Sequence, residues 1–316
     1  MYIDSKIIDV AHQKWTCLPR GNIAYSCYYG NIAMNTIPFY KNPGETPLEA
    51  LERFRKMKPE YAHVPMTYAG RLDPLAEGLL ILLAGDECMK KDEYTKLPKE
   101  YEVEVLFGFA TDTYDVLGLA ESERENTVSG SLAQDDGPSR AKIQQNFMCA
   151  DGNSILSELS KVVEKFTGVY DQKYPPYSSR TVNGKPLWQW AREGKLANLD
   201  LGSQIEIPSH KVQVSNIEIK NVKEISGKTL HKKINEMIES VNGDFRQKEI
   251  LEKWNEVFTG KDDEVYQIAT LTISCGSGTY VRVIAHDIGT ALGVPALALH
   301  IKRTKIGDFL LPQKEQ

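Results

Sequence analysis

Residues 68–85 read Tyr-Ala-Gly-Arg-Leu-Asp-Pro-Leu-Ala-Glu-Gly-Leu-Leu-Ile-Leu-Leu-Ala-Gly, an acidic turn directly ahead of an apolar run. Asp73 before Pro74 has the form of a helix N-cap followed by proline at the first helical position. Gly78 would stop such a helix after about one turn. The run LLILLA between Gly78 and Gly85 has the length and character of a buried strand. A turn closed by two glycines and followed by a buried strand suits another purpose, holding a carboxylate at a sheet edge, where loop-borne function concentrates. Asp73 is therefore either a cap or a displayed carboxylate.

Outward from this stretch, Leu48, Leu51 and Phe54 recur at helical spacing and predict a helix over 47–57. YEVEVLF, residues 101–107, alternates as a half-buried strand does. An amphipathic helix is expected from Ile155 to Phe166. The run Tyr174-Pro175-Pro176-Tyr177 must be a loop, because its prolines cannot continue a helix. A short helix around Trp188–Ala191, a strand through Val212 and Ile219, a strand at 265–274, a helix at 279–292 and a strand at 297–306 follow. The irregular alternation predicts an α+β fold, a mixed and largely antiparallel sheet flanked by helices. Residues 1–34 read as an N-terminal extension to a domain over 35–316. Two polar or charged segments, about 121–154 and 222–263, look like insertions.

Composition narrows the class. The 316 residues are 41% hydrophobic and 26% charged, as in ordinary globular proteins. A net charge of −5 weighs against a nucleic-acid partner without excluding one, since binding needs only a local basic face. Five dispersed cysteines form no CxxC pair and the six histidines show no metal-ligand spacing, so free thiols and no metal site are expected. No apolar run is long enough to span a membrane, and the first residues lack a signal-peptide pattern. A cytoplasmic monomer without a membrane partner is expected.

Two further segments carry candidate chemistry. Lys99-Glu100-Tyr101 opens a strand, and its tyrosine is either cross-strand packing or a ring on which a base stacks. In Gly276-Ser277-Gly278-Thr279-Tyr280-Val281-Arg282, Ser277 or Thr279 is positioned to cap the following helix. Arg282 then falls in the first turn, where the helix dipole disfavours a cation. A carboxylate is the obvious compensating partner.

In this order the motifs resemble the TruB-type tRNA pseudouridine synthases. The resemblance rests on KNPGETPLEALERFR, AGRLDPLAEGLLILLAGDECMK, KEYEVEVLFGFATDTYDVLG, KYPPYSSRTVNGKPLWQWAREG, CGSGTYVRVIAHDIGTALG and ALHIKRTKIGDF, spanning roughly 35–310. It implies a catalytic aspartate at Asp73, a base-stacking tyrosine at Tyr101, an arginine partner at Arg282 and a pocket-lining apolar residue at Ile301. Tyr68, Arg71, Lys41, Ile301, Tyr280, Arg180 and Lys302 are the candidate substrate-binding residues. Lys41 has a second reading, as a turn residue supporting the aspartate loop. Lys173, Lys185, Arg192, His300 and Lys305 are further candidates for RNA contact. The implied partner is tRNA at its T-loop and T-stem, and the implied target is uridine 55. No cofactor is implied, because uracil is both leaving group and nucleophile. Only thirteen residues follow Arg303, leaving no room for a PUA domain, so no guide RNA is expected.

Two residues depart from the family pattern. Tyr68 stands where a histidine is frequent, and Arg71 gives the Arg-Leu-Asp typical of ribosomal-RNA pseudouridine synthases. Competing readings are such a ribosomal-RNA enzyme, a non-catalytic tRNA-binding protein or RNA chaperone on the same fold, and a retaining glycosidase using Asp73 and Glu77.

Overall fold

The structure, a computed structural model, describes residues 35–121, 152–196 and 205–312. The expected extension 1–34 and most of the polar segment 121–154 lie outside the described residues. Nine strands build one sheet in the order β1-β3-β10-β4-β9-β8-β5, with β2 added to β3 and β11 to β10. The strands are β1 (Thr36–Lys41), β2 (Met66–Ala69), β3 (Glu77–Ala84), β4 (Lys99–Phe107), β5 (Gly168–Lys173), β8 (Ser209–Ser226), β9 (Val265–Cys275), β10 (Ala296–Ile306) and β11 (Phe309–Leu310). Among the described residues β3 and β10 are the only strands of this sheet paired in parallel; the other strand pairings are antiparallel, and one isolated parallel bridge joins Asp115 to Ala298 of β10. A separate hairpin joins β6 (Thr181–Val182) to β7 (Lys185–Pro186). The mixed, mostly antiparallel α+β sheet is the architecture the sequence predicts.

The helices are α1 (Pro47–Met57), α2 (Lys91–Lys96), α3 (Gly152–Val163), α4 (Leu187–Arg192), α5 (Gly227–Glu239), α6 (Gln247–Phe258) and α7 (Val281–Leu292). Helix α1 begins on a capping box in which Thr46 and Glu49 each satisfy the other's backbone N–H. Alternating residues of the strands face opposite layers. Tyr101, Val103 and Val105 of β4 join Leu271 and Ile273 of β9 under α3 and α7. Leu106 and Ile268, on the other face, meet α5 and α6.

The charged, helix-prone segment 222–263 packs on the core. Strand β8 continues through it to Ser226, and two amphipathic helices follow. Leu230, Ile234, Ile238, Ile250, Trp254 and Phe258 are all buried against the sheet. Burying each such side chain is worth about 1.5–3 kcal/mol, enough to hold the pair in place. The charges that dominate its composition lie on the outer faces.

Register places the acidic turn. Lys41 at the end of β1 lies opposite Gly78, and Arg303 of β10 lies beside the same glycine. Gly78 has φ +107°, and a Cβ there would overlap the backbone of Arg303, so this crossing needs glycine. The turn 71–76 thus emerges where β1, β3 and β10 meet.

Candidate active site

Asp73 caps no helix. Residues 71–76 form a turn in which the Ala76 N–H donates to the Asp73 carbonyl at 3.1 Å, and β3 begins at Glu77. Of the two readings of this aspartate, display is the one the backbone adopts. Two buried cations hold the turn from beneath. Lys41 Nζ donates to the carbonyls of Pro74 (3.0 Å) and Ala76 (2.5 Å), as well as Asn42 (3.1 Å). Arg303, fully buried, donates through Nε to Leu79 O (2.7 Å) and through Nη1 to Arg71 O (3.1 Å). Burial lowers the Lys41 pKa to about 8, with Arg303 adding to that effect and Glu45 and Asp73 opposing it.

The Asp73 side chain is 37% exposed, while that of its partner Arg282 is 5% exposed. Arg282 Nε lies 3.4 Å from Asp73 Oδ2, and Arg282 Nη1 lies 3.5 Å from Asp115 Oδ2. The guanidinium is fixed mainly by carbonyls: Nη1 donates to Thr113 O (3.2 Å) and Nη2 to Tyr177 O (3.0 Å). Its Nε makes no hydrogen bond, so the contact with Asp73 is an ion pair without alignment. Asp73 is held electrostatically yet keeps lone pairs free for another group. Burial opposes the Arg282 charge, but Asp73 and Asp115 outweigh it and its pKa is raised.

Arg282 stands in the first turn of α7, as the sequence predicts. The expected cap does not form. Ser277 donates to Thr95 O and Thr279 to Gly276 O; the N-cap residue is Tyr280. Gln172 of β5 instead clasps the Tyr280 peptide, accepting from its N–H (2.9 Å) and donating to its carbonyl (3.2 Å). A side chain from a distant strand thus does the work of a local cap. The Tyr280 ring centroid lies 5.9 Å from the Arg282 guanidinium carbon.

Tyr101 is buried 6% exposed in β4, in register with Arg303 and Ile273. Its hydroxyl pKa is raised chiefly by burial, with Asp73 adding to the effect and Arg303 opposing it. A shallow cleft beside the turn is lined by Asp73, Leu75, Ala76, Asp115, His300 and Ile301, among others. Asp73, Asp115 and Ile301 line this cleft, Arg282 lies beside both acids, and Tyr101 is buried in the same hydrophobic cluster as Ile301 without lining the cleft.

Other candidates sit elsewhere or are already engaged. Tyr68 is half-buried on β2 against the cluster containing Phe39 and Leu82, with Lys91 Nζ 5.4 Å from its ring centre. Arg71 is exposed and offers its backbone carbonyl to Arg303. Lys302 lies half-buried on β10 beside Glu77. Arg180 lies 5.3 Å from the Tyr174 ring centre, and Arg192 lies 5.9 Å from that of Trp188. Lys185 lies 4.5 Å from the Trp190 ring centre and pairs with Glu193 at 3.0 Å. His300 pairs with Glu77 at 3.2 Å, and Tyr40 donates to the same carboxylate at 2.6 Å. The hydrogen bond from His300 is the main reason the Glu77 pKa falls to about 2.

Asp115 and Arg303 carry the site without standing out in the sequence. Asp115 is 7% exposed, accepting from the Leu117 N–H (3.0 Å) and the Thr113 hydroxyl (2.8 Å). Short-range bonding of this kind reads as an ordinary Asx turn. Burial raises its pKa to about 6, with Arg282 opposing. Among the described residues no group of three His, Cys, Asp or Glu is placed to hold a metal ion, and no helix is long and apolar enough to cross a membrane.

Comparison with known proteins places the chain in a family. The chain is 26% identical over 275 residues to tRNA pseudouridine synthase B of Ligilactobacillus salivarius (strain UCC118), covering 86% of this chain and 67% of that protein. It is 27% identical over 275 residues to the protein of the same name from Staphylococcus aureus (strain MSSA476), covering 87% and 67%. Among solved structures, a Cbf5-Nop10-Gar1 complex matches with a TM-score of 0.43 and 16% identity, over 87% of this chain and 49% of that one. An H/ACA RNP bound to a substrate RNA containing 2'-deoxyuridine matches with a TM-score of 0.41 and 14% identity, over 87% and 48%. The chain thus spans about half the length of those solved chains. The model described as TruB family pseudouridylate synthase (N terminal domain) matches residues 60–136 and 140–238, more than half of the sequence and including the Asp73 turn, and the chain belongs to that family.

Proposed function

We propose that this chain converts a uridine of tRNA, uridine 55 in the T-loop, to pseudouridine, with Asp73 as the essential carboxylate. The observation that carries the reading is the Asp73–Arg282 pair. A part-exposed carboxylate lies 3.4 Å from a buried arginine, at the mouth of a cleft lined by Ile301. The relatives from Ligilactobacillus salivarius and Staphylococcus aureus, both named tRNA pseudouridine synthase B, support tRNA as the substrate.

The reaction breaks the N1–C1′ bond, turns the uracil and joins C5 to C1′. The C5 proton leaves and N1 acquires one, so the product is an isomer. One ionised carboxylate near C1′ and C2′ serves this chemistry, either as nucleophile at C1′ or as base toward the C2′ proton. Arg282 sets a positive charge beside the Asp73 carboxylate. Tyr101 stacks on the freed base, and Ile301 closes the apolar side of the pocket. The uridine leaves its stack to reach Asp73, at a cost of a few kcal/mol. Backbone and shape carry most of the RNA contact, with Arg180, Lys302, Arg71 and Lys173 as basic contributors. Asp73→Asn tests the assignment: pseudouridine formation in a T-loop RNA should vanish while RNA binding persists. Turnover by that variant would reject the reading.

A further inference from the structure

We propose that the connection between α5 and α6, residues 240–246, is a brace that sets the spacing of the Asp73–Arg282 pair, with Arg246 as its positioning residue. The inference rests on Asp73 being the reacting carboxylate.

The connection touches both halves of the pair through one intermediate each. On the aspartate side, the Asn242 N–H donates to Gly44 O at 3.2 Å, and the Gly44 N–H donates to Pro74 O at 3.0 Å. Pro74 follows Asp73 in the chain. Gly44 has φ +83°, and a Cβ there would overlap the Ser240 carbonyl, so the two backbones are packed as closely as glycine allows. On the arginine side, Arg246 Nη1 lies 3.0 Å from Asp112 Oδ2, with side chains 15% and 29% exposed. The Arg246 guanidinium carbon also lies 4.5 Å from the Tyr177 ring centre. Asp112 precedes Thr113, and the carbonyls of Thr113 and Tyr177 are the two acceptors that fix Arg282. A single cation thus bridges the two loops whose carbonyls orient the site arginine.

The local backbone agrees with a demand on this residue. Arg246 has φ +65°, in the left-handed region that a non-glycine residue occupies only when its surroundings enforce it. The enforcement is visible. Gln247 Oε1 accepts from the Phe245 N–H (2.8 Å), and its Nε2 donates to Val241 O (3.1 Å) and Gly243 O (2.6 Å). The two helices anchor the brace to the sheet, where Trp254 Nε1 donates to Val116 O at 3.1 Å in the same loop that carries Asp112 and Asp115. Arg246 itself touches neither Asp73 nor Arg282, so its effect is one of alignment.

The test uses the full chain and a tRNA substrate, with single-turnover rate at saturating RNA, RNA affinity and thermal melting measured together. Arg246→Ala should lower the rate by about tenfold or more, because small misplacements of reacting groups cost that much. Its RNA affinity should stay within about twofold, since Arg246 faces protein. Arg246→Lys keeps the ion pair and should recover at least half of the loss on a logarithmic scale. A wild-type rate for Arg246→Ala overturns the proposal, as does a weakened affinity with an unchanged rate at saturation. Should Arg246→Ala fail to fold, Arg246→Lys and Asp112→Asn decide, and wild-type rates in both overturn it. Asp73→Asn run alongside separates the claims. If that variant is inactive while Arg246→Ala is unimpaired, the brace falls and the catalytic reading stands; if Asp73→Asn turns over, the catalytic reading falls.

Discussion

Two buried basic sites lie under the same turn and are satisfied in opposite ways. Lys41 and Arg303 donate to backbone carbonyls of residues 71–79. Arg282 also takes two carbonyls, yet turns toward two carboxylates, Asp73 and Asp115. A cation spent on carbonyls fixes a shape. A cation facing carboxylates sets a charge beside them, and of the two acids here Asp73 is the more accessible, 37% exposed against 10% for Asp115. On the proposed function this difference separates scaffold from chemistry more sharply than burial does, because all three cations are buried.

Substitutions on each side should give different signatures. Arg282→Ala should produce the largest effect, a fall of about a hundredfold or more in single-turnover rate, since the charge opposite Asp73 is lost. A rate within threefold of wild type would erase the distinction. Lys41→Met should act on the fold instead. Carbonyls left without a donor cost about 1–3 kcal/mol each, so a loss of about 2–4 kcal/mol in chemical denaturation is expected, with the rate of the folded fraction reduced much less. Asp115→Asn should lower the rate about tenfold by removing one of the two carboxylates on Arg282.

Asp115 also predicts a pH dependence. Its pKa is raised from 3.8 to about 6, chiefly by burial, so its charge is lost as pH falls through about 6. The wild-type rate should decline on acidification through that point, and the Asp115→Asn rate should be flat there. The folded state binds this proton more readily than the unfolded one, so the group's own contribution to stability rises as pH falls from 6 toward 4. The acid loss of rate should therefore precede any loss of fold, which melting curves at pH 5 and 7 would check. The smallest effect is expected at Arg180→Ala, a few-fold loss of RNA affinity with a shallower salt dependence and an unchanged saturating rate.

Much of this is legible in the sequence. LLILLA reads as a buried strand and is one. Arg282, set against the helix dipole, calls for a carboxylate, and Asp73 is beside it. What escaped shares a physical cause. Asp115 and Arg303 derive their importance from burial against residues distant in the chain, and nothing local marks them. The Gln172 clasp on Tyr280 spans more than a hundred residues, where a neighbouring hydroxyl was the natural expectation. In 222–263 the density of Lys and Glu obscures an i, i+4 stripe of Leu230, Ile234 and Ile238, continued by Ile250, Trp254 and Phe258.

The strand order β3-β10-β4 has a consequence for when the centre comes into being. Strand β10 slots between two strands made some two hundred residues earlier, and the bond from Arg303 to Leu79 closes a separation of 224 positions. Contacts so distant in sequence form late, after the entropy of closing the intervening chain has been met. A chain still being synthesised carries Asp73 and Tyr101 long before it carries the strand that seats them. A partial product that stops short of residue 303 lacks the arginine that bonds Arg71 and Leu79, so the turn bearing Asp73 gains that support only when the last long strand arrives.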